Sequence, residues 1–432
     1  MKKIFLGLMG CGTVGSGVVK LFYENKDIIS RKLDGELILK YIADIKTPQG
    51  ISFGPTMFVS DAQKMIDDPE IDIVIETIGG QGIAKDYIEK AIDSGKHIVT
   101  ANKSLIASHG NDLFQLAQKR GVDFRYEASV GGCIPIIKTL RESLVSNQIL
   151  SMTGILNGTC NYILTRISDH GDTFEQALTQ AQAKGYAEAD PTLDIQGIDT
   201  AHKLAIINAI AYGMPINIED IYVEGITKIT PLDIQFAKQF GYRIKLIAIS
   251  KNKRDHIEAR VHPTMIPVQN ILSNVDGTLN AINICGDAVG DIMLYGYGAG
   301  MMPTASAVFS DIMDIARNLL QGTGPCIPLL SFKSNAIHQL PVIPIDDIET
   351  KYYIRFAAVD RPGVLSQIAG VLAKHNISIE SVHQKGRSVE GTVPIVMLIY
   401  KAREADVQRA LSEISSIDVV RRESVRIRIE DD

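Results

Sequence analysis

Short apolar runs alternate with amphipathic stretches in the first part of the chain. The runs are continuous, as in KIFLGLMG near the start, and this pattern predicts strands buried on both faces. Between them, stretches such as AKDYIEKAIDSG repeat their apolar residues at helical spacing. Strands that alternate with helices form a parallel sheet with crossover helices. We therefore predict strands at 3–10, 37–44, 71–78, 97–102 and 122–128 and helices at 13–29, 84–95 and 111–121.

The pattern changes near residue 129, where strand-like segments follow one another with few helices between them. Strands segregated from helices indicate an α+β unit. The last part reads strand, helix, strand, strand, helix, strand, which is typical of a ferredoxin-like unit. We predict an α/β domain at 1–128 that the helix at 303–322 completes, an α+β domain at 129–302, a proline-rich linker at 323–350 and the ferredoxin-like domain at 351–432.

Composition and charge exclude several classes of function. The chain has 432 residues, a formal net charge of -6 and no dense basic cluster, so we expect neither nucleic-acid nor membrane-surface binding. We expect no transmembrane segment, because the apolar stretches are too short. The five cysteines are scattered without a C-x-x-C pair, which indicates reduced thiols in a cytoplasmic protein.

A glycine turn follows the first predicted strand and opens the first predicted helix. Gly10, Gly12 and Gly15 give the G-x-G-x-x-G spacing that lets the backbone approach a pyrophosphate. The alternative is a glycine-rich turn without a ligand. At the end of the second strand, Asp44 favours the ribose of NAD and Lys46 favours the 2′-phosphate of NADP. Cofactor choice therefore stays open, and both residues can also be solvated loop charges.

Other loops at the carboxyl ends of the predicted strands carry candidate ligands. Thr77 follows one strand and Lys103 follows another, at the edge where doubly wound sheets bind ligands. A loop lysine can equally be merely exposed. A second glycine turn, with Gly298 and Gly300, precedes the predicted helix at 303–322. It either passes close to a cofactor ring or is a tight connection, and we keep both interpretations.

The stretch GYAEADPTLDIQGIDTAHK gathers acids before a lysine. If its end is helical, Asp199 and Lys203 are i and i+4 and share one face. Such pairs on a surface contribute only about 0.3–0.5 kcal/mol. Here an apolar run follows, so we expect a partly desolvated amine that exchanges a proton while the neighbouring carboxylate holds it. Glu188 and Asp194 would attract a cationic substrate such as an amino acid's ammonium group.

Glu127 precedes another glycine turn in RYEASVGGCIPII. One carboxylate with nearby carbonyl oxygens can bind a hard cation. The residues alone are weak evidence for such a site.

The chain resembles homoserine dehydrogenases over essentially its whole length. The resemblance is carried by GCGTVGSGV, TANK, EASVGGCIPII, GILNGTCNYIL, AKGYAEADPTLDIQGIDTAHKLAI and GYGAGMMPTASAVFSD, of which the acidic stretch is the most specific. AAVDRPGVLSQIAGVLAKHNISI resembles an ACT domain, a regulatory ligand-binding module. The resemblance implies NAD(P)-dependent interconversion of L-aspartate 4-semialdehyde and L-homoserine, in threonine, methionine and isoleucine biosynthesis.

The resemblance also implies roles for individual residues. Lys203 matches the catalytic lysine, Asp199 the aspartate beside it, and Glu188 and Asp194 match substrate-side acids. Family members that favour NADPH often carry a basic residue at or near Ala43, whereas here the acid Asp44 follows, with only Lys46 beyond it, so the resemblance leaves the choice between NAD and NADP open. The matches at the cofactor are Thr13, Val14, Lys103, Gly185 and either Gly298 or Gly300, and Lys103 is also on the substrate side. The matches at a sodium ion are Glu127, Val130, Gly132 and Ile134.

Partners follow from the same resemblance. It implies a homodimer or homotetramer, with 129–302 as the catalytic and dimerisation domain. The ACT unit either binds an amino-acid effector such as L-threonine, which the turn at 360–363 would hold, or only mediates association. Two alternatives stay open. One is a dehydrogenase of another amino-acid-like substrate, and the other is a catalytically inactive ACT-domain sensor of an amino acid.

Overall fold

The computed structural model describes residues 2–47, 53–384 and 392–431. The chain divides into two compact units. The first contains Met1–Gly158, Asp199–Glu219 and Thr278–Leu340, and the second contains Thr159–Ile198, Asp220–Gly277 and Pro341–Asp432. Among the described residues, the longest helices lack the apolar length that crossing a bilayer requires.

The strands, in chain order, are β1 Lys3–Met9, β2 Glu36–Ala43, β3 Met57–Val59, β4 Ile73–Glu76, β5 His97–Thr100, β6 Phe124–Arg125, β7 Ile149–Ile155, β8 Tyr222–Val223, β9 Tyr242–Asn252, β10 Ile257–Pro267, β11 Leu279–Gly286, β12 Gly290–Tyr297, β13 Glu349–Val359, β14 Ile379–Gln384, β15 Thr392–Arg403 and β16 Val425–Ile429.

The helices, in the same order, are α1 Thr13–Glu24, α2 Lys26–Arg31, α3 Gln63–Ile66, α4 Gly82–Asp93, α5 Lys103–Arg120, α6 Ile136–Lys138, α7 Gly158–His170, α8 Phe174–Ala183, α9 Thr192–Ile195, α10 Ile198–Tyr212, α11 Pro231–Gln239, α12 Met301–Gln321, α13 Val364–Lys374 and α14 Glu404–Ser415. A π-helical turn, Thr139–Ser143, continues α6.

The first unit is built on a parallel sheet with the strand order β3-β2-β1-β4-β5-β6. Each of its strand pairs is parallel, which confirms the predicted α/β class. The strand order reverses between β1 and β4, so a crevice opens there at the carboxyl ends of the strands. The sequence patterns did not predict β3, whose three residues are too few to show a periodicity.

The helix predicted at 13–29 is interrupted. Its first part is α1, which ends at Glu24 with Asn25 as its cap, and the following α2 has no buried residue. The helix predicted at 111–121 is the second half of α5, which begins at Lys103 because the Asn102 side chain accepts a hydrogen bond from the amide of Leu105.

Helix α12 packs against α1 in the first unit. The rings of Phe22 and Phe309 lie 6.4 Å apart, and a Cβ on Gly17 would come within 2.6 Å of the Met301 carbonyl oxygen. Val18 and Ile312 belong to one buried core with the central strands. The long helix therefore shares the core of the parallel sheet. In the same unit β7, β11 and β12 form an antiparallel sheet.

The second unit contains the strands β9, β10, β16, β13, β15 and β14, in this order, and β8 pairs with β10. From β13 to β16 the elements follow one another as β-α-β-β-α-β, which confirms the ferredoxin-like unit. Its core includes Tyr352, Phe356, Ile368 and Ile414. The sequence patterns did not predict α7 and α11 in this unit.

Candidate active site

Asp199 and Lys203 form a buried pair on α10. Only 5% of Asp199 and 7% of Lys203 is exposed. The lysine Nζ donates to Asp199 Oδ2 at 2.7 Å and to the carbonyl oxygen of Leu156 at 2.6 Å. The helix is apolar on nearly every side, so the amine lies among buried residues. This is not the solvated surface pair that the sequence left as an alternative.

Two further groups contact the Asp199 carboxylate. Lys103 Nζ lies 3.0 Å from Oδ1, and Asn157 donates its amide to Oδ2 at 2.9 Å. Burial by itself would raise the pKa of Asp199, but the charges of Lys203 and Lys103 and the hydrogen bonds from Lys203 and Asn157 outweigh it and hold this pKa well below its usual range. Asp199 is therefore an ionised carboxylate that holds two lysines together.

Sequence reasoning missed Asn157 and Glu76. Asn157 lies in the quoted stretch GILNGTCNYIL, directly after β7, and this position was the available signal. Glu76 is a carboxylate at the end of the otherwise apolar strand IVIE, and its side chain is fully buried. An acid inside a buried parallel strand was the signal for Glu76.

The glycine turn after β1 has the geometry that its sequence predicted. Gly10 has a φ of 86°, a conformation that favours glycine. A Cβ on Gly15 would lie 2.1 Å from the Gly10 carbonyl oxygen, so α1 and the turn are in close contact. Among the described residues other than its two chain neighbours, no heavy atom lies within 4 Å of a Cβ built on Gly12. The backbone at Gly12, with Thr13 and Val14 at the start of α1, is thus free to approach a phosphate group.

Thr77 and Asp44 brace this turn. The Thr77 hydroxyl donates to the Gly10 carbonyl oxygen at 2.6 Å. Asp44 Oδ2 accepts from the amide of Cys11 at 2.5 Å, and its Oδ1 accepts from the amide of Lys46 at 3.0 Å. Asp44 therefore is not simply a solvated loop charge, whereas Lys46 is exposed.

The second glycine turn lies against other parts of the first unit. A Cβ on Gly298 would come within 2.0 Å of the Asn280 amide, and a Cβ on Gly132 would lie 2.6 Å from the Gly298 carbonyl carbon. Gly300 has a φ of 124° and precedes α12 directly. Close packing alone accounts for the glycine at 298, which favours the tight-connection interpretation there.

Glu127, the one carboxylate among the predicted cation ligands, is buried. Glu127 accepts hydrogen bonds from the amides of Ile137 at 2.9 Å and Lys138 at 2.8 Å, and the Ile134 carbonyl accepts from Ile136. Burial, together with the charge of Asp311, raises the pKa of Glu127 to about 8. Carboxylate and carbonyl oxygens keep further lone pairs after these bonds, so this donor set is compatible with a hard cation.

Three predicted residues lie in the second unit. Gly185 has a φ of 72° in the turn after α8. Glu188 is exposed, and its carbonyl oxygen accepts from the side chain of Gln182 at 3.2 Å. Asp194 lies in α9, where its carbonyl oxygen accepts from the Cys160 thiol at 3.1 Å.

A mainly apolar cavity of about 670 Å³ lies elsewhere in the first unit. Phe114, Val122 and Leu330 line it, with other residues of α5 and of the predicted linker. None of the predicted site residues lines it. Size alone therefore does not identify the site, because the charged groups that can carry chemistry lie at α10.

Comparison with known proteins agrees with these observations. A family model described as homoserine dehydrogenase matches residues 135–313, a model described as homoserine dehydrogenase, NAD binding domain, matches residues 10–127, and an ACT domain model matches residues 352–419. A homoserine dehydrogenase of Neisseria gonorrhoeae is 44% identical over 431 residues, which is 100% of this chain and 99% of that protein.

Two solved structures are also similar. The crystal structure of a homoserine dehydrogenase from Thiobacillus denitrificans has a TM-score of 0.94 and 43% identity and covers 100% of this chain and 99% of its own. A hyperthermophilic archaeal homoserine dehydrogenase in complex with NADPH has a TM-score of 0.61 and 27% identity and covers 72% of this chain and 97% of its own.

Proposed function

The chain belongs to the homoserine dehydrogenase family, and from that premise we propose that it interconverts L-homoserine and L-aspartate 4-semialdehyde, with Lys203 as the group that moves the proton. The buried Lys203–Asp199 pair carries this proposal. Two groups hold the Lys203 amine: the Asp199 carboxylate, which also contacts Lys103, and the Leu156 carbonyl oxygen. A solvated surface lysine would not need such contacts.

The contacts of Lys203 suit this role. An ammonium group has three N–H donors. Asp199 and the Leu156 carbonyl accept two of them, which leaves one proton for the substrate oxygen. When the aldehyde is reduced, negative charge grows on its oxygen, and Lys203 stabilises that charge and donates the proton. When the alcohol is oxidised, neutral Lys203 accepts the hydroxyl proton. A bound nicotinamide donates or accepts the hydride.

Lys103 supplies a second positive charge beside Lys203. Its side chain is 42% exposed, while its Nζ is held by Asp199. We infer that Lys103 binds either the carboxylate of the substrate or a polar group of the cofactor, since its amine is held in place and also reaches solvent. By the family resemblance, Glu188 and Asp194 bind the ammonium group of the substrate and Gly185 lines the nicotinamide site. Glu188→Gln should then raise the KM for L-homoserine more than it lowers kcat.

The cofactor proposal rests on the glycine turn. Gly10, Gly12 and Gly15 with the start of α1 would hold the pyrophosphate, and the archaeal relative solved with NADPH supports a nicotinamide nucleotide. For the adenosine end, Lys46 is the residue that would meet a 2′-phosphate. Binding of NADH and NADPH to the chain and to Lys46→Ala separates the two cofactors. A loss confined to NADPH supports that role, and equal effects on both cofactors contradict it.

A sodium ion beside Glu127 is proposed from the resemblance and from the compatible oxygen donors described above. Glu127, with the carbonyls of Val130, Gly132 and Ile134, would hold it. The ion would lower the raised pKa of Glu127, stabilise its ionised form and contribute to structure, with no part in hydride or proton transfer. Thermal unfolding in sodium chloride and in choline chloride tests it, because only sodium should raise the midpoint.

The regulatory and assembly proposals concern the domains. The ACT domain would bind L-threonine, with Gly363, whose φ is 89°, at the turn before α13.

We propose a homodimer or homotetramer. In support, β12 is an edge strand whose Tyr295 is 70% and Tyr297 58% exposed, which leaves aromatic surface for contact with a second copy. We also propose the predicted domains, which are 1–128 with 303–322, 129–302, 323–350 and 351–432. We propose a cytoplasmic location as well.

One assay tests the activity and its alternatives. Oxidation of L-homoserine with NAD or NADP should proceed, and L-threonine should inhibit it and give heat in calorimetry. Turnover only with another hydroxy amino acid would favour the other dehydrogenase. Binding of L-threonine and nucleotide without turnover of any substrate would favour the inactive sensor.

A further inference from the structure

Glu76 is a buried acid that the proposed mechanism does not use. It ends β4, next to the point where the strand order reverses, and its side chain is fully buried. Among the described residues, no basic side chain forms an ion pair with it. A carboxylate buried without a cation is costly, so its hydrogen bonds must account for its presence.

Glu76 is the acceptor in each of its hydrogen bonds with the described residues. Glu76 Oε1 accepts from the amides of Ile78 at 2.8 Å and Gly79 at 3.0 Å, and Oε2 accepts from the Thr100 hydroxyl at 2.5 Å. An ionised carboxylate only accepts, whereas a protonated one needs a partner for its own proton. Burial raises the pKa of Glu76 above its usual value, and these hydrogen bonds favour the ionised form and offset that rise only in part. The bonding pattern suits the ionised form.

The bonds tie two loops together. Ile78 and Gly79 belong to the loop after β4, whereas Thr100 ends β5. The Thr100 hydroxyl also accepts from the amide of Asn102 at 3.0 Å, and the Asn102 side chain donates to the Gly80 carbonyl oxygen at 2.7 Å. The ring of bonds closes just before Lys103, whose amine reaches Asp199 at 3.0 Å. Glu76 thereby fixes the start of α5.

The same loop lies beside the glycine turn. Thr77, the next residue after Glu76, donates to the Gly10 carbonyl oxygen, and a Cβ on Gly15 would lie 2.8 Å from the Thr77 hydroxyl oxygen. In a sheet of this order, a dinucleotide crosses the crevice between β1 and β4, with its second half over the ends of β4 and β5. Oxidised nicotinamide carries a positive charge that the reduced ring lacks.

We propose that Glu76 is a positioning residue that ties together the loops after β4 and β5, and that its buried negative charge favours binding of the oxidised cofactor over the reduced one. This inference rests on the proposed cofactor site. It differs from a purely structural role, which would change the affinities for both forms of the cofactor equally.

Affinities for NAD+, NADH, NADP+ and NADPH, measured by calorimetry on the full chain and on Glu76→Gln, test the charge. The ratio of the oxidised-form Kd to the reduced-form Kd should rise roughly threefold or more, because a unit charge is removed from a low-dielectric region. Glu89→Gln, at a partly exposed acid on α4 that pairs with Lys85, is the control and should leave the ratio unchanged. Glu76→Asp keeps the charge but shortens its reach, so it should lower turnover without changing the ratio.

An unchanged ratio in a folded Glu76→Gln overturns the charge effect while leaving the cofactor site intact. Absence of nucleotide binding by the unmodified chain overturns the cofactor site itself. If Glu76→Gln does not fold, Thr100→Val tests the tie between the loops: kcat should fall severalfold at an unchanged Kd ratio, and unchanged kcat overturns the proposal.

Discussion

Asp199 Oδ2 lies 2.7 Å from Lys203 Nζ, one helical turn further along α10, while its Oδ1 lies 3.0 Å from Lys103 Nζ. One buried carboxylate thus fixes two amines that are a hundred residues apart in sequence. The relationship explains why the acid is needed as well as the lysine: without it, two positive charges would lie close together in a region of low dielectric.

Replacing Lys203 by Met should lower kcat by about 10²–10⁴-fold, the usual contribution of a general acid or base. Cofactor affinity should stay nearly unchanged, because the glycine turn remains intact. Steady-state kinetics and nucleotide binding check both parts. Lys119→Met, at the exposed end of α5, is the control and should leave kcat as it is. A Lys203→Met enzyme with full turnover would remove the assignment.

Asp199→Asn should destabilise the protein at neutral pH, and this difference should shrink in acid. The pKa of Asp199 is lower in the folded protein than its ordinary value of 3.8, so the unfolded chain binds more protons as the pH falls below about 4. The stability that ionised Asp199 contributes is thus complete above that pH and is lost as the pH falls towards the folded-state pKa.

Urea unfolding at several pH values between 7 and 3 measures this effect. The exposed Asp112→Asn variant corrects for general acid effects. A difference between the original chain and Asp199→Asn that stays constant across this range would show that the carboxylate is not held in its ionised form.

The glycine turn predicts opposite outcomes for two similar substitutions. Gly15→Ala should lower the thermal midpoint, because its Cβ would lie 2.1 Å from a backbone oxygen. Gly12→Ala meets no atom within 4 Å, so it should fold normally. It should nevertheless weaken nucleotide binding by roughly tenfold, about 1.4 kcal/mol, since the methyl group points into the space for phosphate. Calorimetry on folded Gly12→Ala decides, and unchanged affinity would place the pyrophosphate elsewhere.

Glu404 holds a charged cluster inside the ACT domain. Its fully buried carboxylate accepts two hydrogen bonds from Arg428 at 2.8 Å each and one from the Tyr352 hydroxyl at 2.8 Å. Glu404→Ala removes one of the two carboxylates that pair with the buried Arg428 guanidinium, leaves Glu224 as the other, and should cost about 3 kcal/mol, the lower end for breaking a buried ion pair. Denaturant unfolding measures the loss. Glu413→Ala, which removes a partly exposed carboxylate from Lys374 and His375, is the control and should change stability much less. Comparable losses in both variants would show that burial of the cluster is unimportant.

The sequence by itself determined the elements with a clear period. Continuous apolar runs gave the strands of the parallel sheet, the glycine spacing gave the turn before α1, and the strand-helix order gave the ferredoxin-like unit, since each depends on neighbours in the chain. It also placed Asp199 and Lys203 on one helix face, because i,i+4 spacing is local. The family resemblance supplied the substrate and the roles of the acids.

Only the tertiary structure decided which distant groups meet. Lys103 and Asn157 both contact Asp199 because of how α10 packs. Asp44 bonds to the glycine turn, and Glu76 joins two loops, because of how the strands align in the sheet. Tertiary packing also decided whether the Asp199–Lys203 pair is buried. The i,i+4 spacing by itself is compatible with a weak surface pair or with a desolvated one. The surrounding apolar side chains, which come from several parts of the chain, make the difference.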